Sequence, residues 1–447
     1  MAYCLKKPLF RRTDPIDIII SPFQRFFSHE ASSGLVLVGC MVVALILANS
    51  GFAKHYFEVL ELVFSVRLGD FFLIEKPLLL WINDGFMALF FLLVGLEIKR
   101  EILVGELSDL KASLLPLAAA LGGMAVPAGI YLCFTGATRQ ASGWGVPMAT
   151  DIAFALGVLA MMGRHIPLGL QVFLAAVAIV DDIGAVVLIA LFYTSHVAAA
   201  FLWMAVGMFG VLLILNILGV RSPLPYMVLG FGLWYFMLKS GIHATLAGVL
   251  LAAAIPAQVK SSPDEFIALA EKALNRFQAI ARTPEESHVL RNPDQHAALL
   301  QINHVSRAAE TPLQRIEHNL LGWVTFFIVP VFALANAGIA FETGLKDSLS
   351  HPVCLGVLFG LVLGKPLGIV TASWLVVRTG ISRLPDQVTM RHVLGAGCLA
   401  GIGFTMALFI ANLAFDEAVL LGKVKIGILT ASMVSWLAGW LILTRCK

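Results

Sequence analysis

Two adjacent carboxylates, Asp181 and Asp182, lie in the middle of the apolar run VAIVDDIGAVVLIALFY. In a site of low dielectric constant, two neighbouring carboxylates cannot both ionise cheaply, so a bound proton or cation is favoured there. A small hard cation such as sodium prefers oxygen ligands, and the hydroxyl of Thr150, together with backbone carbonyls freed from a helix, would complete the set. These residue types predict a site at which protons and a small cation compete.

The composition places these carboxylates inside a membrane protein. Of 447 residues, 59% are apolar and 13% are charged, whereas about 25% of the residues of a soluble domain are charged. Apolar runs of about 17 to 25 residues, the length of a membrane-spanning helix, recur through the chain. We predict about twelve such helices in a lipid bilayer, and we expect no nucleic-acid partner. The predicted spans begin near Gly34, Leu78, Ser113, Gly145, Leu168, Ala198, Pro223, Ile242, Leu320, Leu355, Val393 and Gly422.

Four ionisable residues within the predicted spans are costly in hydrocarbon: Asp151, Asp181, Asp182 and Lys365. Each costs about 2.5 to 3.5 kcal/mol at the centre of a spanning helix, so together they cost about 10 to 14 kcal/mol. That cost rivals the net stability of a whole domain, about 5 to 15 kcal/mol, and it requires partners or water. Buried ion pairs that only fix helix packing stabilise poorly compared with apolar residues. Because three acids and one lysine leave a net negative charge, we favour a water-filled cation site.

Two of the predicted spans carry helix-breaking residues in their middle. VPMATDIAFALGVLAMMG contains Pro147, and GAGCLAGIGFTMALFIANLAF contains four glycines. Unwound backbone at membrane depth is tolerated only where protein buries it or where it lines a cavity, and paired broken spans in two halves of a chain indicate a transporter's binding site. Crossed half-helices bring two positive N-terminal ends and two negative C-terminal ends together. We expect Asp151 to offset the former and Lys365 the latter.

Outside the spans, the sequence predicts an arm, a long loop and a hairpin. The basic segment 1–33 is expected to be a cytoplasmic arm. The long loop 257–317 is expected to be cytoplasmic. It is expected to form short surface helices from SSPDEFIALAEKALNRF and NPDQHAALLQINHVSRAAE, each begun by a Ser or Asn cap and a proline. The alternation around Gly69 in LVFSVRLGDFFLIE predicts an extracytoplasmic β-hairpin over 63–75. Lys and Arg are concentrated on the side of the N-terminus, so both termini are expected to be cytoplasmic.

Seven segments, spread over most of residues 34–440, together resemble one family of membrane proteins. They are LLWINDGFMALFFLLVGLEIKRE, ATDIAFALG, VDDIGAVVLIALFYT, LKSGIHATLAGVLLA, VFALANAGI, LGKPLGI and GIGFTMALFIANLAF. In this combination and order they are similar to the NhaA family of bacterial sodium/proton antiporters. The resemblance implies an all-α polytopic fold of about twelve transmembrane helices, with two broken helices in an inverted-repeat core.

The resemblance also implies how the single transporter domain, 34–444, is organised. It implies a core and a panel, with the core drawn from about 113–193 and 355–444 and the panel from about 34–112, 198–256 and 312–340. The panel is expected to form a homodimer, helped by the 63–75 hairpin.

The same resemblance assigns roles to residues of this sequence. Asp181, Asp182 and Thr150 match the ion-binding and proton-binding residues, with Asp181 and Asp182 as ligands of sodium or lithium. Asp151 and Lys365 match the residues that balance charge in the broken-helix core. No cofactor is expected. The residues at the family's pH-response positions are Asp84, Glu97, Arg100, Glu101, His243, Glu317 and His318.

The predicted function is pH-regulated exchange of sodium or lithium for protons across the bacterial inner membrane, without enzymatic catalysis. A symporter of an organic or anionic solute on the same fold is the alternative. An intramembrane aspartyl protease does not fit, because Arg67 stands where a Gly-x-Gly-Asp motif requires glycine. Two departures from the family pattern bear on the pH of activation. The 257–317 loop is longer than expected, and Leu321 replaces an expected second histidine one turn after His318.

Overall fold

The computed structural model describes residues 30–69, 72–105, 108–136, 138–163, 166–194, 197–259, 263–281, 293–340 and 345–446. Most of the predicted N-terminal arm, position Asp70 of the hairpin turn and the segment between the two predicted loop helices lie outside these ranges. The chain forms two compact units. The first comprises Met1–Asn83, Asp109–Ile189 and Thr325–Lys447, and the second comprises Asp84–Ser108 and Ala190–Val324.

The described residues are mostly helical. In chain order the helices are α1 (Glu30–Ala48), α2 (Ala53–Glu61), α3 (Leu78–Val104), α4 (Leu110–Thr135), α5 (Ile152–Met162), α6 (Leu168–Phe192), α7 (Ala199–Ile217), α8 (Pro223–Ser240), α9 (Leu246–Ala254), α10 (Pro263–Ala281), α11 (Pro293–Ala309), α12 (Pro312–Asn336), α13 (Leu345–Leu349), α14 (Pro352–Arg378), α15 (Met390–Ala400), α16 (Phe404–Ala414) and α17 (Ala418–Thr444). A 3₁₀ helix, Arg139–Met148, precedes α5. Single π-turns interrupt α3, α12 and α14 at Ile82–Phe86, Val324–Ile328 and Gly360–Gly364.

By length and composition, eight of the described helical segments can cross a membrane, or ten if each of two bent pairs is one span. The bent pairs are α1 with α2 and α15 with α16. Helices also form at the two other predicted spans, but α9 has nine residues, about 14 Å at 1.5 Å per residue, against roughly 30 Å of hydrocarbon. The predicted fold class, a polytopic helical membrane protein with broken helices and a small β-hairpin, is confirmed.

The helices α4 and α14 of the first unit cross with their backbones in contact. A Cβ atom added to Gly122 would overlap the carbonyl oxygen of Gly368, and one added to Gly368 would overlap that of Gly122. A Cβ atom on the next residue, Gly123, would lie 3.8 Å from the Cδ atom of Lys365. Small residues at helix crossings in membranes allow this close approach. The crossing therefore fixes the stretch of backbone that carries Lys365.

The predicted β-hairpin is present in the first unit. Strands β1 (Val63–Leu68) and β2 (Phe72–Pro77) are antiparallel and pair over their full length, with Val63 opposite Pro77 and Leu68 opposite Phe72. Gly69 follows β1 with φ +60°, a left-handed conformation that glycine adopts without steric cost. The hairpin is thus slightly longer than the sequence indicated, and its part in dimerisation stays a prediction.

The two predicted helices of the long loop are present in the second unit. α10 begins at Pro263 and α11 at Pro293, as the Ser-Pro and Asn-Pro pairs indicated. The two helices pack against each other, and Ala273 on α10 and Ala298 on α11 are fully buried. The loop therefore contains a helical hairpin with an apolar contact of its own.

Candidate functional site

The two helix breaks touch each other inside the first unit. Residues 149–151 are non-helical between the 3₁₀ helix and α5. Residues 401–403 separate α15 from α16, and these two helices are bent by 47°. The backbone N–H of Asp151 donates to the carbonyl oxygen of Ile402 at 2.7 Å. This hydrogen bond brings the ends of four helical segments together at one buried place.

One carboxylate, that of Asp151, serves two of these helix ends. Its Oδ1 accepts from the backbone N–H of Phe154 at 3.1 Å, in the first turn of α5. Its Oδ2 accepts from the backbone N–H of Thr405 at 3.1 Å and from the Thr405 hydroxyl at 2.5 Å, in the first turn of α16. An anion is stabilised at a helix N-terminus, so Asp151 offsets both positive ends. Sequence reasoning missed Thr405, because no local pattern pairs it with a residue 254 positions away.

Lys365 is the cation of the site and is fully buried. Its Nζ contacts Oδ2 of Asp181 and lies 2.8 Å from Oγ1 of Thr150. That hydroxyl lies 2.8 Å from Oδ2 of Asp181 and 2.9 Å from the carbonyl oxygen of Ala400, the last residue of α15. A hydroxyl has one hydrogen to donate, so Thr150 accepts from Lys365 and donates to one of these two oxygens. The ammonium is thus one hydroxyl away from the negative end of a half-helix.

Asp181 and Asp182 are buried in the uninterrupted helix α6, with exposed fractions of 2% and 1%. Oδ1 of Asp181 has no hydrogen-bond partner among the residues that the structure describes. When all groups are ionised, Asp151, Asp181 and Asp182 carry three negative charges against the single ammonium of Lys365. The site therefore has buried acceptor oxygens in excess, and a proton or a cation would neutralise them.

Comparison with known proteins identifies the family of this chain. The family model described as Na+/H+ antiporter 1 matches residues 24–443. The chain belongs to this family. It is 50% identical over 429 residues to the "Na(+)/H(+) antiporter NhaA" of Oleidesulfovibrio alaskensis, which covers 96% of this chain and 95% of that protein. It is 47% identical over 433 residues to the "Na(+)/H(+) antiporter NhaA 2" of Syntrophotalea carbinolica, which covers 97% of this chain and 98% of that protein.

A third relative extends the match to almost the full chain. It is the "Na(+)/H(+) antiporter NhaA 1" of Saccharophagus degradans, 44% identical over 442 residues, or 98% of this chain and 95% of that protein. The family predicted from the seven segments is confirmed, and the chain is a multi-pass bacterial membrane protein. All three relatives are named as antiporters, so the alternative of a solute symporter is not favoured.

Five of the seven residues predicted from the sequence for pH response meet in the second unit. Arg100 contacts Oε1 of Glu317 through Nη1, and its Nη2 lies 3.3 Å from Oε1 of Glu101. Glu97 is within electrostatic range of all three, and His318 is exposed and within range of Glu317. We name these five residues the Arg100 cluster. It joins two segments that are 217 positions apart in the chain.

The other two residues predicted for pH response lie elsewhere in the second unit. The backbone carbonyl of Asp84 accepts from the indole N–H of Trp234 at 3.0 Å. Nδ1 of His243 lies 2.8 Å from Oγ1 of Thr245, just before α9 begins. These contacts place neither Asp84 nor His243 in the Arg100 cluster.

Lys99 is a charged residue of α3 that sequence reasoning did not single out. Its Nζ donates to the carbonyl oxygens of Ala253 at 2.7 Å and Ile255 at 2.5 Å, at the C-terminal end of α9. A cation at a helix C-terminus offsets the negative end of the helix, and α9 is only nine residues long. The charge was visible in GLEIKRE, but its partner 154 positions away was not.

Proposed function

We propose that this chain exchanges sodium or lithium ions for protons, and that Asp181 and Asp182 bind both. The observation that carries the proposal is the contact of two broken helices at a buried cluster of carboxylates, one ammonium and the Thr150 hydroxyl. Membership of the antiporter family supports the pair of substrates. Asp151 and Lys365 balance the charge of the helix ends and hold the site in shape.

Charge balance explains why the cation and the proton exclude each other. With Lys365 protonated and Asp151 engaged by two helix ends, Asp181 and Asp182 leave one net negative charge. A sodium ion or a proton neutralises that charge equally well. A further positive charge in the site would be uncompensated, and a bare charge at mid-membrane costs about 2.5 to 3.5 kcal/mol. The two substrates therefore compete.

The two oxygens of Asp181 have different roles in this competition. Oδ2 is held by Lys365 and Thr150, whereas Oδ1 has no hydrogen-bond partner among the described residues. An incoming cation binds Oδ1 together with Asp182 and the carbonyl oxygens freed at the helix breaks. Because the cation and the ammonium then share one carboxylate, cation binding weakens the hold of Lys365 on Asp181. Lys365 regains its full contact with Asp181 when the cation leaves.

Alternating access converts this competition into exchange. The sodium-loaded and protonated sites are close to neutral, so they change their exposure between the two sides of the membrane at low cost. The empty ionised site carries a bare charge through a medium of low dielectric constant and does not change exposure readily. Sodium movement in one direction is therefore tied to proton movement in the other.

Everted membrane vesicles with a pre-formed proton gradient test the site. Added sodium or lithium should dissipate the gradient with the wild-type protein but not with Asp182→Asn, because the amide carries no charge for either substrate. Asp386→Asn changes an exposed aspartate, serves as the matched control and should behave as wild type. Wild-type exchange by Asp182→Asn, at an equal amount of protein in the membrane, would contradict the assignment. Sodium-dependent accumulation of an organic solute would instead identify a symporter.

We further propose that the Arg100 cluster sets the pH dependence of exchange, with Asp84 and His243 acting separately. An ordinary histidine loses its positive charge as the pH rises above about 6.5, whereas an arginine stays charged. His318→Arg keeps that charge and should shift the rise of exchange rate towards alkaline pH without changing its maximum. His296→Arg, at an exposed position of α11, is the control. Superimposable profiles of wild type and His318→Arg would exclude this role.

We also propose that the protein lies in the inner membrane as a homodimer, with both termini cytoplasmic. The distribution of Lys and Arg supports the orientation. The exposed apolar side chains of Val63, Phe64 and Leu73 on the hairpin support an interface there. A reporter active only in the cytoplasm should be active when fused after Lys447, and an inactive reporter would contradict the orientation.

Deletion of residues 63–77 should leave monomers in size-exclusion chromatography. A dimer that persists after this deletion would contradict the role of the hairpin in the interface.

A further inference from the structure

A cavity of about 420 Å³ opens where the start of α15 meets the end of α17, both in the first unit. Six residues line it: Thr389, Met390, Arg391, His392, Arg445 and Cys446. None of the six is acidic. The helices α15 and α17 pack against each other, and the cavity lies at their common end. This end is about 16 Å along α15 from the helix break, at 1.5 Å per residue.

Two arginines give this cavity its positive charge. Arg391 and Arg445 are exposed, and neither guanidinium has an ion pair or hydrogen bond within the described part of the chain. The first turn of α15 is capped internally, because the N–H of Thr389 donates to Nδ1 of His392 at 3.1 Å and the N–H of His392 donates to the Thr389 hydroxyl at 3.5 Å. The guanidinium groups, whose planar donors match phosphate oxygens, are therefore the anion-binding groups of the cavity.

An apolar stripe leads away from this cavity along α17. Met433, Leu437 and Leu441 are 59%, 48% and 54% exposed. Together with Arg445 they recur every four residues, so they lie on one side of the helix. Because α17 is a membrane span by length and composition, the stripe faces hydrocarbon and Arg445 stands at the edge of the hydrocarbon. On α15, Leu394 lies one turn from Arg391 and is also partly exposed.

We propose that the cavity binds the phosphate headgroup of an anionic phospholipid, with one acyl chain along the Met433–Leu437–Leu441 stripe. The arginines alone match the oxygens of any phosphate, but only a lipid adds contact with the stripe beneath them, so a free phosphate ion should bind far more weakly. The bound phosphate joins the start of α15 to the end of α17. Since the other end of α15 reaches Thr150 through Ala400, the lipid would steady a half-helix of the ion site. This binding site is additional to the proposed exchange function and does not depend on it.

Lipid retention by the purified full-length protein tests the proposal. In native mass spectrometry with equal amounts of phosphatidylglycerol and phosphatidylcholine, the wild type should retain phosphatidylglycerol preferentially. The double variant Arg391→Gln/Arg445→Gln should bind phosphatidylglycerol about 30-fold more weakly, the effect expected for two basic residues at an anionic surface. The control Arg378→Gln/Arg383→Gln removes the same charge from the end of α14 and the turn after it, outside the cavity, and should bind as wild type does.

Each other outcome overturns the proposal. Unchanged phosphatidylglycerol binding in the Arg391/Arg445 double variant would show that the arginines do not bind the lipid. Equal losses in both double variants would assign retention to net charge alone.

Inorganic phosphate distinguishes a lipid from a free ion. Added in increasing concentration, it should not change the unfolding temperature of the wild type. A rise that the Arg391/Arg445 variant loses would assign the cavity to a free ion instead of a lipid. Arg445→Lys, which keeps the charge but not the planar donors, should fold as wild type and retain intermediate binding, and binding by it no stronger than by the double variant would contradict the charge argument.

Discussion

Replacing Thr405 by valine tests whether the Asp151 carboxylate joins two helix ends. The Thr405 hydroxyl lies 2.5 Å from Oδ2 of Asp151, and the residue is 4% exposed. Valine has nearly the same shape and removes only the donor. Hydrogen bonds to charged groups contribute about 1.5 to 3 kcal/mol. The free energy of unfolding should therefore fall by that amount, which corresponds to roughly a 10- to 150-fold change in the folding equilibrium constant.

Equilibrium unfolding in mixed detergent micelles measures this loss directly. Thr405→Ser keeps the hydroxyl and should retain most of the stability that Thr405→Val loses. In vesicles, Thr405→Val should lower the maximal exchange rate but leave the half-saturating sodium concentration almost unchanged, because Asp181 and Asp182 are untouched. If Thr405→Val stays within about 0.5 kcal/mol of wild type, the range of ordinary surface substitutions, the hydroxyl does not hold the two ends together.

Three further substitutions probe buried or titratable side chains: Lys365, Lys99 and His351, which precedes α14. Lys365→Gln should destabilise the protein by about 3 to 5 kcal/mol, because it leaves the buried Asp181 carboxylate without its cation. In the same unfolding assay, the double variant Lys365→Gln/Asp181→Asn should recover much of this loss. If it recovers nothing, Lys365 and Asp181 do not act as an ion pair. Lys99→Met should lower the free energy of unfolding by about 1 to 3 kcal/mol, because carbonyls at the end of α9 lose their donor, whereas Lys272→Met, at an exposed position, should change it little. Burial lowers the pKa of His351 in the folded chain. In mildly acidic solution the unfolded chain therefore binds a proton at this residue more readily than the folded chain does. The contribution of His351 to stability should be absent above the unfolded-state pKa of about 6.5, and stability should fall as the pH drops below that pKa. His351→Asn keeps a capping side chain for α14. In thermal unfolding from neutral to mildly acidic pH, this variant should lose less stability than the wild type.

Features that depend on near neighbours in the chain could be predicted from the sequence. Pro147 and the glycines around residues 401–403 indicated the two broken spans, Pro263 and Pro293 indicated the starts of the loop helices, and Gly69 indicated the hairpin turn. Each of these signals depends on the backbone preferences of one residue or of its immediate neighbours. From the charges we likewise expected Asp151 and Lys365 to offset the ends of the half-helices before any contact was known.

Features that depend on distant pairing could not be predicted in this way. An Asp-Asp pair shows that two carboxylates share a site, but it does not show that Lys365 contacts Asp181, because that contact depends on how α14 sits against α4. The contacts of the Thr405 hydroxyl and the Lys99 ammonium could not be predicted either, since each partner lies more than 150 positions away in the chain. Hydropathy also predicted a short span at α9, but it did not show that only nine of its residues are helical.

The backbone contact between Gly122 and Gly368 restricts how this lineage can diverge. Any side chain at either position would force α4 and α14 apart and move Lys365, one helical turn from Gly368, away from the carboxylate it contacts. A compensating change at the partner is not available, because the partner is already glycine and has nothing left to remove. Drift is therefore confined to the outward sides of the same helices, such as exposed Leu117 and Leu367. In a saturation library, Gly122 and Gly368 should tolerate almost no substitution, whereas Leu117 and Leu367 on the same helices should tolerate many.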